Sequence, residues 1–327
     1  MPEIYLNAIN FALGSLTERN DSKTLQCSID DCERIVRKTG IQSRPIAAPN
    51  EYTSDLARLA TRALLNERNL PASDVGILVV CTQTPDHLIP GVSSLLHGQL
   101  GFPQACFVLD INQGCSGFVV GTQTVTSLLQ SSEKAAVLVN ADTYSKLIRP
   151  HDLTTRVLFG DAATASLFSK QPYGLRVVYS KSFADGSGYN AFVARGSALR
   201  KDLGELQGIH MDGAGILNFA LRMVPEAIHS ALDDNGLQLQ QIRMILFHQA
   251  NSFVIGKLTH KLQLHAEQVP QNCTDLGNTV SASIPLLLRE QLPSLKHGDL
   301  VMAVGFGVGL SWGVSIFERA TDRVQLT

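Results

Sequence analysis

Apolar residues fall along this chain in two alternating rhythms. Short continuous runs have the length and β-branched content of strands buried on both faces: "VGILVVC" (75–81), "CFVLDI" (106–111), "AAVLVNA" (135–141), "MILFH" (244–248), "LVMAVGF" (300–306) and "WGVSIF" (312–317). Between them, apolar positions recur every three or four residues, as in "TSDLARLATRALLNE" (53–67) and "MVPEAIHSALDDNG" (223–236), which predicts amphipathic helices. Thr53 or Ser54 is placed to cap the first helix, and Asn235-Gly236 ends the second. Strands alternating with helices predict an α/β protein whose sheets are covered by helices.

The pattern is also written twice. "VGILVVCTQT" (75–84) lines up with "IRMILFHQAN" (242–251), setting Cys81 opposite His248, and "LDINQGCSG" is answered by "TDLGNTVSA". From Cys115 to Val137 is 22 positions, and from Asn278 to Leu300 is also 22. Matching spacing predicts a duplicated unit, with halves at 1–170 and 171–327 divided near "SKQPYGL" (169–175). Ligands in open α/β sheets collect beyond the carboxyl ends of strands. His248 ends its strand, Cys115 opens the helix after its strand, and Asn278 holds the equivalent turn of the second half. The duplication therefore predicts that three residues distant in sequence meet at one place.

Composition narrows the chemistry. The 327 residues are 44% hydrophobic and 17% charged, which is a globular balance. A net charge of −2 gives no basic field for nucleic acid. The start carries Glu3 and no basic region, so no signal peptide is expected and the cytoplasm is the predicted compartment. The uncharged run Ile111 to Ser132 contains Asn112, Gln113, Thr122, Gln123, Thr124 and Gln130, too many polar groups for lipid, and predicts a fully buried central helix rather than a membrane span. Six cysteines (27, 32, 81, 106, 115 and 273) form no CxxC pair and no Cys/His ligand spacing. They predict reduced thiols, with neither a zinc site nor a disulfide framework.

Cys115 is the exception by context. Gln113-Gly114 permits a tight strand-to-helix turn, and a thiol at a helix start meets N–H groups and a dipole that favour thiolate. A lone cysteine is usually a packed core thiol, a strand-end histidine is often a satisfied core group, and a Gly-Asn pair is often only a turn. Their shared placement by the duplication raises all three together. The order Cys, His, Asn also occurs in cysteine proteases, but "QGCSGF" at 115 differs from the C-G-S-C-[WY] setting near a mature N-terminus. The late run "AVGFGVGLSWG" (303–313) has no helical pattern behind it, so it predicts strand–tight loop–strand rather than a dinucleotide loop. Its N–H groups can face the cysteine as an oxyanion hole.

Together, "GIQSRPIAAPNEYTSDLA", "NQGCSGF", "VLFGDAATA", "FHQAN", "LGNTVSASIP" and "GFGVGLSWG" resemble the β-ketoacyl-ACP synthase III family of thiolase-like condensing enzymes, in order over essentially the whole chain. The resemblance implies a duplicated five-layered αβαβα fold, a homodimer, and a Cys-His-Asn site at Cys115, His248 and Asn278. It implies that Cys115 takes an acyl group from an acyl thioester, either acyl-CoA or acyl-ACP. The oxyanion is then held by the amides of Cys115 and the Gly307, Val308, Gly309 loop. His248 and Asn278 stabilise the enolate left when a malonyl thioester loses carbon dioxide, with Phe306 beside its carboxylate. No metal or redox cofactor is implied.

Departures from the family pattern cluster at the coenzyme A handle. A tryptophan and an arginine that sandwich adenine are matched by Arg34 and Leu153, and an asparagine on the pantetheine arm by Ala214. The arginine after "HQAN" gives way to Ser252-Phe253, and an oxyanion-loop glycine is Val308. A phenylalanine that closes the partner's acyl pocket is matched by Ile89 in "TPDHLIPGVSS", which implies primers beyond acetyl. Lys257 and Lys261, sharing a face after "HQAN", make an acyl carrier protein the expected partner, in a specialised relative. Two other readings stand beside condensation: acyl transfer from Cys115 to a hydroxyl or amine, and a subunit of a heterodimeric synthase.

Overall fold

The computed structural model describes residues 2–196, 201–205 and 208–320. Its centre is a nine-stranded sheet: β1 (Tyr5–Leu13), β2 (Val75–Cys81), β3 (Phe107–Ile111), β4 (Ala135–Asp142), β5 (Ala162–Ser169), β6 (Leu175–Ala184), β7 (Ile242–Phe247), β8 (Leu300–Gly307) and β9 (Ser311–Arg319). The spatial order is β7-β8-β9-β6-β1-β5-β4-β2-β3. β2 is parallel to β3 and β4, and β7 is parallel to β8, while the other pairings are antiparallel. Read outward from the β1–β6 seam, β5, β4 and β2 on one side repeat as β9, β8 and β7 on the other. All six apolar runs read from sequence are strands of this sheet.

The helices that position the site are α1 (Ile29–Thr39), α2 (Thr53–Arg68), α3 (Val92–Leu100), α4 (Gly117–Leu129), α5 (Gly213–Asp234), α6 (Ser252–Lys261) and α7 (Ser283–Gln291). α2 and α3 cover β1–β5 from outside, and α5 covers β8 and β9, with α6 packed on it. α4 and α7 touch strands of both half-sheets, so they form the middle layer of the five-layered αβαβα thiolase-like fold. Separate apolar clusters fill the interfaces. Phe118, Val125, Ile284 and Leu287 lie between the half-sheets, Leu56, Leu64, Leu78 and Val137 under α2, and Val224, Ile228, Phe247 and Trp312 under α5. Burying each such side chain stabilises the fold by about 1.5–3 kcal/mol.

Four local expectations are corrected. Tyr52, rather than Thr53 or Ser54, is the N-cap of α2, with its backbone N–H donating to Asp55 at 3.1 Å. Thr53 and Ser54 are instead drawn inward, to Thr143 and Asp86. The central helix starts at Gly117, with Ser116 as its N-cap, so Cys115 lies just before it. That helix is not fully buried, because its last turn reaches solvent at Ser127. Finally, Cys27 and Cys32 are joined by a disulfide, with Cα atoms 6.6 Å apart, where sequence predicted free thiols. A five-residue separation ending on the first turn of α1 brings the two side chains together, a proximity that ligand spacing does not register. The other four cysteines are free and buried. Among the described residues, no helix is long and apolar enough to cross a membrane, and no group of three metal-ligating side chains exists.

Candidate active site

Cys115 stands between β3 and α4, and the crossing of two chains holds it there. Gly305 and Gly307 of β8 pass directly against it: a Cβ on Gly305 would lie 3.0 Å from the Cys115 carbonyl oxygen, and one on Gly307 3.1 Å from Sγ. Only glycine permits these approaches. The side-chain amide of Asn278 and the backbone N–H groups of Cys115 and Val308 lie near enough to the sulfur to favour its ionised form. Val308 keeps a negative φ, so valine holds this N–H in place with no left-handed strain.

His248 follows β7 and is 1% exposed. Its Nδ1 lies 2.7 Å from Ser283 Oγ, and its ring meets Phe306 edge-on with centroids 5.7 Å apart. The same Ser283 hydroxyl is 3.0 Å from the Val280 carbonyl, while the Val280 N–H donates to Asn278 Oδ1 at 2.9 Å. One residue thus ties the histidine to the asparagine. Val280 adopts φ +52°, a genuine outlier for a β-branched residue. The Asn278 backbone is fixed by bonds from Gly160 N–H (3.0 Å) and to the Leu158 carbonyl (2.8 Å).

The electrostatics reverse one expectation. Burial pushes the Cys115 thiol up to about 12, and the Asp142 carboxylate adds to the rise. The N–H groups around the sulfur and the helix end do not outweigh the loss of water, so the resting residue is a thiol, not the thiolate predicted from the helix start. Asp142 closes β4 and is fully buried, and burial pushes it up to about 7. It accepts from Ser281 Oγ (2.6 Å) and from Gln83 N–H (2.8 Å). Burial holds His248 down to about 3, with the Val280 backbone a smaller opposing influence, so the ring is neutral.

Cys115, His248, Asn278, Phe306 and the Gly307–Gly309 turn thus lie together; the duplication led to the expectation for the first three, the resemblance for Phe306 and the late glycine run for the turn. Sequence reasoning missed Asp142, Val280 and Ser283. Asp142 alone carried a signal, a carboxylate ending a strand whose one other polar residue is Asn140. The remaining candidates lie outside this cluster of direct contacts. Arg34 is exposed on α1 and paired with Asp31 at 2.7 Å, Leu153 begins a short helix (Leu153–Arg156), and Ala214 is exposed at the start of α5. On α6, Phe253 is exposed and Lys257 Nζ stands 5.5 Å above its ring, with Lys261 exposed further along. α6 packs against α1, which places the Arg34 and Phe253 helices side by side. Ile89 is 87% exposed, beside Leu88 at 68%.

Comparisons with known proteins agree with this geometry. Residues 109–186 match the family described as 3-oxoacyl-[acyl-carrier-protein (ACP)] synthase III, and residues 232–319 match its C-terminal part. The chain is 34% identical over 325 residues to the β-ketoacyl-[acyl-carrier-protein] synthase III of Clostridium perfringens, covering 95% of this chain and 99% of that one. It is 33% identical to the Neisseria gonorrhoeae protein of the same name, over 91% of this chain and 94% of the other. Among solved structures, the 3-oxoacyl-(acyl-carrier protein) synthase from Burkholderia xenovorans superposes with a TM-score of 0.90 at 29% identity, covering 98% and 95% of the two chains.

Proposed function

The chain belongs to the 3-oxoacyl-[acyl-carrier-protein] synthase III family of condensing acyltransferases, and from that premise we propose how its residues join an acyl group to a malonyl thioester. The observation that carries the reading is the convergence of Cys115, Asn278 and His248, with the Asn278 amide near the sulfur and Asn278 tied to His248 by the Val280–Ser283 link.

In the first half-reaction Cys115 Sγ forms a bond to the acyl carbonyl carbon while the incoming thioester C–S bond breaks. The proton of the Cys115 thiol leaves with the departing thiol. The N–H groups of Cys115 and Val308, which face the sulfur at rest, hold the oxyanion. In the second, Asn278 and the Nε2–H of His248 donate to the malonyl thioester oxygen. For Nε2 to carry the proton, Nδ1 must accept, so in this step the single proton of Ser283 Oγ turns from the Val280 carbonyl to Nδ1. Loss of carbon dioxide leaves an enolate whose carbon bonds to the acyl carbon. The Cys115 S–C bond then breaks, the sulfur takes up one proton from solvent to restore the thiol, and a β-ketoacyl thioester departs. Phe306 gives the malonyl carboxylate an apolar neighbour.

The same reading covers the partners. An acyl carrier protein delivers substrate over α1 and α6, where Arg34 and Phe253 replace a coenzyme A grip and Lys257 and Lys261 meet its acidic surface; Leu153 and Ala214 are further departures at that grip. The protein is a homodimer in which exposed Ile89 closes the partner's acyl pocket, and its two halves divide near residue 170.

The test combines intact-protein mass spectrometry with product analysis. Cys115→Ala should take up no acyl group, and Asn278→Ala should load but give no product from malonyl-ACP. Persistent acylation of Cys115→Ala, or normal condensation by Asn278→Ala, would refute the assignment.

A further inference from the structure

Beside the three-residue site lies a polar pair that condensation does not use. Tyr144, just past β4, is 3% exposed and belongs to the apolar cluster around Cys115, with Leu158, Phe159, Ile209 and Val280. Its ring packs on Phe159 and Phe192, with centroids 5.1 and 6.3 Å away. Its hydroxyl donates to Gln83 Oε1 at 2.5 Å. Gln83 in turn lies against the chain that leads into the nucleophile, since a Cβ on Gly114 would stand 2.5 Å from Gln83 Oε1. The pair therefore stands beside the turn that carries Cys115 rather than in a distant part of the core.

The Tyr144 phenol, buried in an apolar wall, loses hydration that only hydrogen bonds return, whereas half-buried Gln83 keeps its amide within reach of accessible space. Here the account is half closed. Gln83 Oε1 accepts the hydrogen bond of the phenol and the backbone N–H of Gln83 donates to Asp142, while Gln83 Nε2 has no protein acceptor among the described residues. Tyr144 Oη, having given its proton, keeps lone pairs that can accept. Burial holds this phenol well above its ordinary value, with Asp142, Cys115 and Cys81 adding to the rise, so it stays protonated. One donor, Gln83 Nε2, and one acceptor, Tyr144 Oη, thus flank the 2.5 Å bond from Tyr144 Oη to Gln83 Oε1, beside the turn that carries the nucleophile. A single hydroxyl satisfies both, donating to Tyr144 Oη and accepting from Gln83 Nε2. An alkyl chain satisfies neither.

We propose that Tyr144 and Gln83 determine acyl specificity, selecting a short acyl group that carries a hydroxyl over its alkyl counterpart. The inference rests on the acyl-enzyme reading of Cys115 and deepens it. A site that hydrogen bonds a substrate hydroxyl discriminates because its own polar groups go unpaired with the wrong substrate.

The experiment loads the full-length protein with paired N-acetylcysteamine thioesters, 3-hydroxybutanoyl and butanoyl, and follows acylation of Cys115 by intact mass. The wild type should acylate faster with the hydroxyacyl ester by about tenfold, the factor set by one or two net hydrogen bonds. Tyr144→Phe and Gln83→Met should each bring that ratio toward unity, chiefly by slowing the hydroxyacyl reaction. The wild-type ratio needs no variant, so misfolding of either one leaves the inference exposed to refutation. Equal or faster loading of butanoyl by the wild type would overturn it, as would an unchanged ratio in both variants. Loading without discrimination sinks this inference alone, whereas failure of both esters to acylate Cys115 would sink the acyl-enzyme reading and the inference with it.

Discussion

Gly307 offers the sharpest test of the geometry around the nucleophile. A Cβ at this position would stand 3.1 Å from Cys115 Sγ and 2.8 Å from Cys115 Cβ. Non-bonded carbon contacts are comfortable at about 3.5–4.0 Å, so Gly307→Ala must separate strand and cysteine by roughly half an ångström or more. Neither side yields easily, since β8 is paired on both edges and Cys115 is pinned before α4. Overpacking of this kind costs about 1–3 kcal/mol of stability. Displacing a reacting atom by about 1 Å costs on the order of 100-fold in rate, so acylation should fall by roughly 10- to 100-fold. The assay is the rate of acyl transfer to Cys115 by intact mass, with thermal unfolding in parallel. Gly256→Ala is the control, because a Cβ there meets nothing within 4 Å on exposed helix α6, and it should stabilise by about 0.5–1 kcal/mol. If Gly307→Ala acylates at the wild-type rate, β8 does not confine the nucleophile, and the proposed oxyanion loop loses its basis.

Asp142→Asn should lower the Cys115 thiol from about 12 and speed its alkylation by iodoacetamide, while unchanged reactivity would remove Asp142 as a cause. The same variant has a signature in stability against pH. Asp142 titrates at about 7 in the fold, above its unfolded value of about 3.9, so its contribution is full below that lower value and lost as pH rises through the folded one. Asp142→Asn should therefore flatten the decline of melting temperature over that window. His248, held to about 3 against about 6.5 unfolded, acts with opposite sign: its contribution is present above the unfolded value and lost as pH falls, and His248→Gln should flatten the acid limb. Ser283→Ala, which removes the partner of His248 Nδ1, should slow condensation by about tenfold while sparing acylation, with Ser283→Thr restoring it; equal loss in both steps would mark Ser283 as merely structural. Reduction should raise the intact mass by about 2 Da and cost about 2 kcal/mol of stability for so short a loop, and an unchanged mass would exclude the Cys27–Cys32 bond.

The parts of the site that were legible in sequence are those that period and duplication encode. Cys115, His248 and Asn278 each follow a recognisable strand or turn at matching spacing, so strand counting brings them together. The runs themselves were readable because buried strands leave few polar interruptions, here only residues such as Asp110, Asn140 and Ser315. The missing parts depend on distances that no spacing carries. Asp142, Ser281 and Gln83 come from different elements and meet only when the sheet closes over α4. The sign of the Cys115 perturbation failed for the same reason. A helix start is visible in sequence, but the burial that outweighs it is a property of the assembled layers. Val280 could not be foreseen at all, since nothing local in "GNTVSA" requires a valine at φ +52°.

The site's neutrality at rest follows from these placements and bears on why the chemistry runs forward. Cys115 is a thiol and His248 an uncharged imidazole, both out of contact with bulk water. On the proposed mechanism, the malonyl carboxylate brings charge into this dry space and sheds it as carbon dioxide. A charged imidazolium would bind that carboxylate tightly before reaction and gain nothing at the transition state, which is uniform binding at best. It would also hand a proton to the enolate before the carbon–carbon bond formed. A neutral His248 beside the uncharged Asn278 avoids both outcomes. It offers hydrogen bonds to the thioester oxygen only as negative charge gathers there, which is the interaction that lowers a barrier rather than a ground state. Phe306, 2% exposed and edge-on to that ring, completes the argument by leaving the carboxylate without a favourable partner until it departs.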